Sequence, residues 1–289
     1  MTEFCDAHNH LQDERFGGHS TSLQTIAAAA GVTHSVVNGV SENDWPEVAR
    51  LAARHPGIVP SFGYHPWYLP ERTDGWREVL EARLATTPRA VVGEIGLDRW
   101  WLALTAEQRR TRFPVLGARE PATWAEQMEA FRWQWELAVN RHLPASVHCL
   151  QAWGPLLEFL SAAPRVERGF LLHSFGGPVE LVRELVQHGA YFGFPGYFLH
   201  EQKHRQREVF RAIPADRLLI ETDAPDQLPP PAFITHPLID PSTGRALNHP
   251  ANLPAIYDGL AQFLERPLPE LCRQVADNFS RLFGPGVPA

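Results

Sequence analysis

Short apolar runs alternate with longer amphipathic stretches along almost the whole chain, and this alternation sets the expected fold. Strand-like runs occupy Phe4–His8, Val32–Val40, Gly57–Gly63, Ala90–Glu94, Ala145–His148, Gly169–His173, Ala190–Phe194 and Leu218–Asp223. Between them, helical spacing predicts helices over Ser20–Ala30, Asn43–His55, Trp76–Thr86, Trp124–His142, Gly154–Ala162, Pro178–His188 and Glu201–Ala212. Ser20 and Thr21 open the first of these as capping residues do, and Gly31 follows its end. Pro178 falls in the first turn of another and Gly189 just past its end, the expected asymmetry. Eight strands alternating with helices predict βα units and a parallel sheet. The expectation is an α/β chain forming one domain over residues 1–289, a closed TIM-type (β/α)8 barrel or a distorted one lacking a helix.

Two stretches break the rhythm. Arg110–Ala122 carries Pro114, Gly117 and Pro121 and reads as an insertion ahead of a long helix. Pro225–Pro254 is proline-rich with little periodicity; a long loop directly after the eighth strand is expected to wall the active site. Pro269–Phe283 reads as a closing helix.

Composition narrows the class. At 44% hydrophobic and 20% charged residues, with no apolar run of membrane-spanning length, the chain reads as an ordinary soluble protein that makes no membrane contact. The first residues carry acid and histidine where a signal peptide would carry positive charge and then an apolar block. Cys5, Cys149 and Cys272 are odd in number, far apart and free of C-x-x-C spacing, which argues for a reducing compartment. A cytoplasmic monomer is expected. A formal charge of -7 argues against a broad basic surface gripping long nucleic acid, but leaves room for a small or single-stranded anionic substrate. Lys203 is the only lysine.

The chemistry lies at the strand ends. His8 and His10 are two apart and so share one strand face. Glu94, His148, His173 and Asp223 each end an apolar run, where a parallel barrel gathers its catalytic groups. Four imidazoles and two carboxylates are too many for one tetrahedral ion with an open position. They suit two divalent ions roughly 3.5–4 Å apart around a shared ligand. The bridge must be an anion with two oxygens. Lys203, the one lysine that could be carbamylated, sits in a polar helical stretch, so Glu94 is the bridge candidate. Two such ions would activate a shared water, and Asp223 would take its proton.

His8-Asn9-His10, Gly63-Tyr64-His65-Pro66, Gly93-Glu94-Ile95-Gly96-Leu97-Asp98, His173-Ser174-Phe175-Gly176-Gly177 and Glu221-Thr222-Asp223-Ala224-Pro225 together resemble the TatD family of metal-dependent hydrolases, in the amidohydrolase superfamily. The motifs stand in family order over essentially the whole chain. The resemblance implies a divalent-metal-dependent hydrolase of phosphodiesters, a deoxyribonuclease or 3′-exonuclease acting at DNA ends through a bridging hydroxide. It implies one ion on His8, His10, Glu94 and Asp223 and a second on Glu94, His148 and His173, the metals being zinc, magnesium or manganese. Among substrate-side groups, His65 is expected to face the pocket as a phosphate contact and Asp98 to support it. Two departures bear on the substrate. Where the family often carries Ser-Arg-Asp, this chain has Cys149-Leu150-Gln151, and the family's Arg-Asn-Glu-Pro becomes Leu247-Asn248-His249-Pro250. Losing that first arginine removes a fork-shaped phosphate donor. A hydrolase of esters, lactones, amides or phosphotriesters on the same two ions is therefore the alternative.

Other signals point elsewhere. His200-Glu201-Gln202-Lys203-His204 matches the H-E-x-x-H of zinc peptidases, without a convincing third ligand. Trp100 and Trp101 offer faces for stacking bases, and Arg15 and Arg99 offer phosphate contacts. Cys149 beside His148 suggests a nucleophile, a role that water fills in a two-metal mechanism.

Overall fold

The computed structural model describes residues 3–113, 116 and 120–284. Eight strands form one parallel sheet in chain order: β1 Phe4–Asn9, β2 Val32–Asn38, β3 Ile58–Phe62, β4 Val91–Asp98, β5 Ala145–Leu150, β6 Phe170–Leu172, β7 Ala190–Pro195 and β8 Leu218–Glu221. Each strand is largely or wholly buried, as expected of a sheet covered by helices.

The seam between β8 and β1 closes the barrel. Asp223 N–H donates to His8 O (2.9 Å) and His10 N–H to Ala224 O (2.8 Å). Asp6 extends this closure with its side chain, accepting from Thr222 N–H (2.9 Å) and Thr222 Oγ1 (2.6 Å). Lower on β1, the Tyr257 hydroxyl accepts from Cys5 N–H (3.1 Å) and donates to Cys5 O (2.8 Å). A tyrosine thus satisfies two buried backbone groups that would otherwise be orphaned.

The outer helices are α1 Ser20–Ala29, α2 Trp45–Arg54, α3 Trp76–Thr86, α4 Arg99–Ala103, α5 Ala106–Arg112, α6 Trp124–Asn140, α7 Trp153–Ala162, α8 Val182–Gln187, α9 His204–Val209, α10 Leu253–Leu264 and α11 Leu268–Phe283. The expected helices after β6 and β7 are shorter than their periodicity suggests. Val179–Leu181 and Glu201–Lys203 are tighter 3-10 turns, and α-helix begins only after them. This breaks the H-E-x-x-H reading: His200 has extended backbone before a 3-10 turn, so it and His204 do not share an α-helical face.

The anticipated insertion starts inside α5, whose first turn is held by a Thr105–Gln108 capping box, so the helix runs into it from before Arg110. Its Pro114 and Gly117 lie outside the described residues. The proline-rich segment after β8 carries a small hairpin, Leu238–Ile239 paired with Ala246–Leu247, and contributes Gln227 and Leu228 to the rim.

Helix α6 anchors two rim loops from one face. Gln127 and Gln134 are seven residues apart, two helical turns, and both are fully buried. Gln134 accepts from Tyr64 N–H and donates to Tyr64 O, next to His65. Gln127 does the same for the backbone of Asp98.

Candidate metal centre

Every strand-end group singled out above converges on one spot around Glu94, which is only 2% exposed. Its two oxygens face opposite ways. Oε2 lies 3.4 Å from both His8 Nε2 and His10 Nε2, which are 3.2 Å from each other. Asp223 Oδ1 adds a fourth corner at 3.6 and 3.5 Å from the same two nitrogens. Four ligands about 2.1 Å from a tetrahedral ion stand about 3.4 Å apart, so these spacings are those of a cation's coordination shell.

On the other side, Oε1 lies 2.9 Å from His173 Nε2 and 3.3 Å from His148 Nδ1, themselves 3.1 Å apart. That makes a three-donor face sharing the same carboxylate.

The strand packing explains the convergence. Gly96 pairs with His148 across β4 and β5, and a Cβ on Gly96 would lie 2.0 Å from His148 O. Asp223 has φ 52°, a left-handed conformation that aspartate tolerates better than most residues. That turn follows β8 directly, and the carboxylate reaches the N-terminal histidines.

Each converging imidazole is oriented from behind. His8 Nδ1 lies 3.1 Å from Ser146 Oγ, and His10 Nδ1 donates to Asn38 O (2.8 Å). His148 Nε2 meets Asp98 Oδ2 at 3.0 Å. His173 Nδ1 faces Glu221 Oε1 at 3.8 Å, an electrostatic contact too long for a hydrogen bond. For His10 and His148, whose backing groups only accept, this fixes the tautomer and aims the opposite nitrogen's lone pair. Lone pairs of His10 and its neighbours therefore face one another and two carboxylates, an arrangement that a positive charge between them resolves. The donor set thus fits divalent cations.

The electrostatics agree. Burial opposes charge on His10, but the hydrogen bond to Asp223 and the nearby Glu94 outweigh it and push its pKa up to about 9. Burial likewise opposes charge on Glu94, yet His173, His65 and His8 hold its carboxyl well below the usual range. Asp223, against its own burial, is held at about 2 by His10, His173 and His8.

His65 lies beside this group, with Nε2 3.4 Å from Glu94 Oε1. Trp67 N–H donates to His65 Nδ1 (3.2 Å), so neutral His65 carries its proton on Nε2. It is a hydrogen-bond donor toward the pocket and not a lone-pair ligand. Burial pushes its pKa well below the ordinary value, against the pull of Glu94.

Asp98, expected as a supporting group, stands behind His148 and away from the pocket. It is fully buried, and its carboxylate takes His148 Nε2, Trp67 Nε1 (2.6 Å) and Trp101 N–H (2.7 Å), the last capping α4. Trp101 is 1% exposed in a small core with Leu104 and Leu116, so no base can stack on it. Arg15 is clamped between Asp13 and Asp226, which already neutralise it, and Arg99 lies over Trp124 at 4.5 Å. Cys149 is buried, and burial pushes its thiol far above neutrality, so it is no nucleophile.

Glu221 and Gln227 escaped the sequence reading. Glu221 Oε1 accepts from Ser174 N–H (2.6 Å) and Oγ (2.7 Å), in a space kept open by Gly193, whose Cβ would lie 2.0 Å from Oε2. Gln227 Nε2 donates to Asp223 Oδ2 (2.8 Å). For Glu221 a signal existed: it is a carboxylate closing the same apolar run, two residues before Asp223.

Replacing Asp98 with alanine should weaken divalent-ion affinity about 10–100-fold through the loosened His148. Activity titrated against metal should recover at high metal concentration. A raised KM at saturating metal would instead place Asp98 against substrate.

The family model described as TatD related DNase matches residues 5–284. The 3′-5′ ssDNA/RNA exonuclease TatD of Cronobacter turicensis is 31% identical over 279 residues, covering 95% of this chain and 95% of that protein. The protein of the same description from Escherichia fergusonii is 30% identical over 282 residues, covering 95% of this chain and 96% of its own. The crystal structure of a TatD homologue from Escherichia coli K12 superposes with TM-score 0.82 at 24% identity, covering 99% of each chain, a likeness of fold.

Proposed function

Because the chain belongs to the TatD-related DNase family, we propose that it is a divalent-metal-dependent hydrolase of phosphodiesters that removes nucleotides from single-stranded nucleic acid ends. The observation that carries this reading is Glu94, one buried carboxylate whose two oxygens each serve a separate set of imidazoles.

His8, His10, Glu94 Oε2 and Asp223 Oδ1 would hold one cation, and Glu94 Oε1, His148 and His173 the second. When bound, the pair supplies a water of lowered pKa and charge stabilisation at the phosphoryl oxygens. Asp223 accepts the water's proton at Oδ2, the oxygen that Gln227 now holds. His65, neutral and protonated at Nε2, donates a hydrogen bond to a phosphoryl oxygen. Asp98, Glu221, Ser146 and the Asn38 carbonyl keep the imidazoles from turning. Imidazole-rich donors favour zinc over magnesium or manganese. Three buried free cysteines fit a reducing compartment, and we place the protein in the cytoplasm. No helix among the described residues is long and apolar enough to cross a membrane.

A panel of single-stranded DNA, single-stranded RNA, duplex DNA, lactones, esters and amides tests the reading. Single-stranded DNA or RNA should be shortened from its 3′ end, releasing mononucleotides. Turnover of lactones or esters with nucleic acid left intact would replace this reading by an amidohydrolase.

A further inference from the structure

The rim opens beside the metal centre into a cleft of ≈ 550 Å³ floored by His148 and His173. Leu150, Trp153, Tyr197 and Leu228 give it an apolar and aromatic wall. Lys203 is the only lysine of the chain and, among the described residues, the only Lys or Arg lining this cleft. Its ammonium lies 4.8 Å from the Tyr197 ring centroid. Among the described residues it has no carboxylate within ion-pair distance.

Nearby cations are engaged elsewhere. Arg15 pairs with Asp13 and Asp226, and Arg207 donates to Leu199 O (3.0 Å). On a chain of formal charge -7, an unpaired ammonium held against an aromatic face next to the metal centre is a ready anion contact.

We propose that this cleft is the subsite for the nucleotide adjoining the reacting phosphate, with Lys203 binding that nucleotide's phosphate and the Tyr197–Trp153 wall stacking its base. The proposal rests on the nucleolytic reading above. Stacking and charge are contacts that any base can make. A base can enter such a cleft only when unpaired, so the subsite also selects single strands over duplex.

The test measures equilibrium binding of a thymidine tetranucleotide whose 3′-terminal linkage is a methylphosphonate, so that the linkage at the metal centre is uncharged and resists cleavage. Tryptophan fluorescence of the metal-loaded full chain reports the Kd across a salt series. Lys203→Met should weaken binding about ten-fold and reduce the slope of log K against log salt by about 0.7, the loss of one phosphate contact on a single strand. Lys203→Arg should restore both. Tyr197→Leu should weaken binding by a similar factor with the slope unchanged, since stacking carries no counterion release. Wild-type Kd and slope in Lys203→Met, with single-stranded DNA still degraded by the parent, would overturn the subsite and leave the nucleolytic reading intact. A parent chain that neither binds nor degrades the DNA would remove both.

Discussion

Glu94→Gln should lower kcat/KM on single-stranded DNA about 10³-fold or more, the scale of removing a preorganised charge from a reacting centre. The substitution keeps the shape and removes the charge. Glu94 Oε2 is one corner of the four-donor set with His8, His10 and Asp223, and Oε1 anchors the face made by His148 and His173. Without the anion, the first set keeps three donors and the second only two imidazoles. Metal content should therefore fall from two ions per chain to one or none, read by elemental analysis of the purified variant. The fold should persist, because the barrel core and the β8–β1 seam do not depend on this group. A variant that keeps two ions, or more than about a tenth of the parent's activity, is incompatible with a bridging role.

Stripping the divalent ions should abolish hydrolysis and lower thermal stability, and two equivalents should restore both. A ligand held only by the native state stabilises it by about 4 kcal/mol at a thousand times its Kd. For a chain of this size that corresponds to a fall in Tm of about 10 °C. Restoration by one equivalent would reject the binuclear site.

The metal-free protein should also respond to pH. His10 is raised from 6.5 to about 9, so the stability it contributes is fully present below about pH 6.5 and is lost as pH rises through 9. Cations must displace that proton, so metal affinity should rise with pH over the same window, as isothermal titration at two pH values would measure.

Much of this was readable in one dimension, because it depends on local periodicity. Eight buried runs and their alternation with helices dictate a parallel barrel, and strand starts were located to within a residue. His8 and His10 share a face because strands repeat every two residues, and the remaining donors end their runs where a parallel barrel opens. Strand ends were less legible: β4 continues through Asp98, past the apolar run that suggested a stop at Glu94.

What the sequence by itself determined is therefore the barrel and the side chains that gather at its candidate metal centre. The tertiary structure decided the partners. Asp98 supports His148 because α6 and Trp67 enclose it, Arg15 is spent on Asp226, which lies 211 residues away, and Glu221 stands behind His173 in the space left by Gly193. Which nitrogen of each histidine faces inward, and that Lys203 has no carboxylate partner among the described residues, follow from neighbours distant in sequence. Periodicity places a residue on a face; only the register between strands and the packing of loops determines what that face meets.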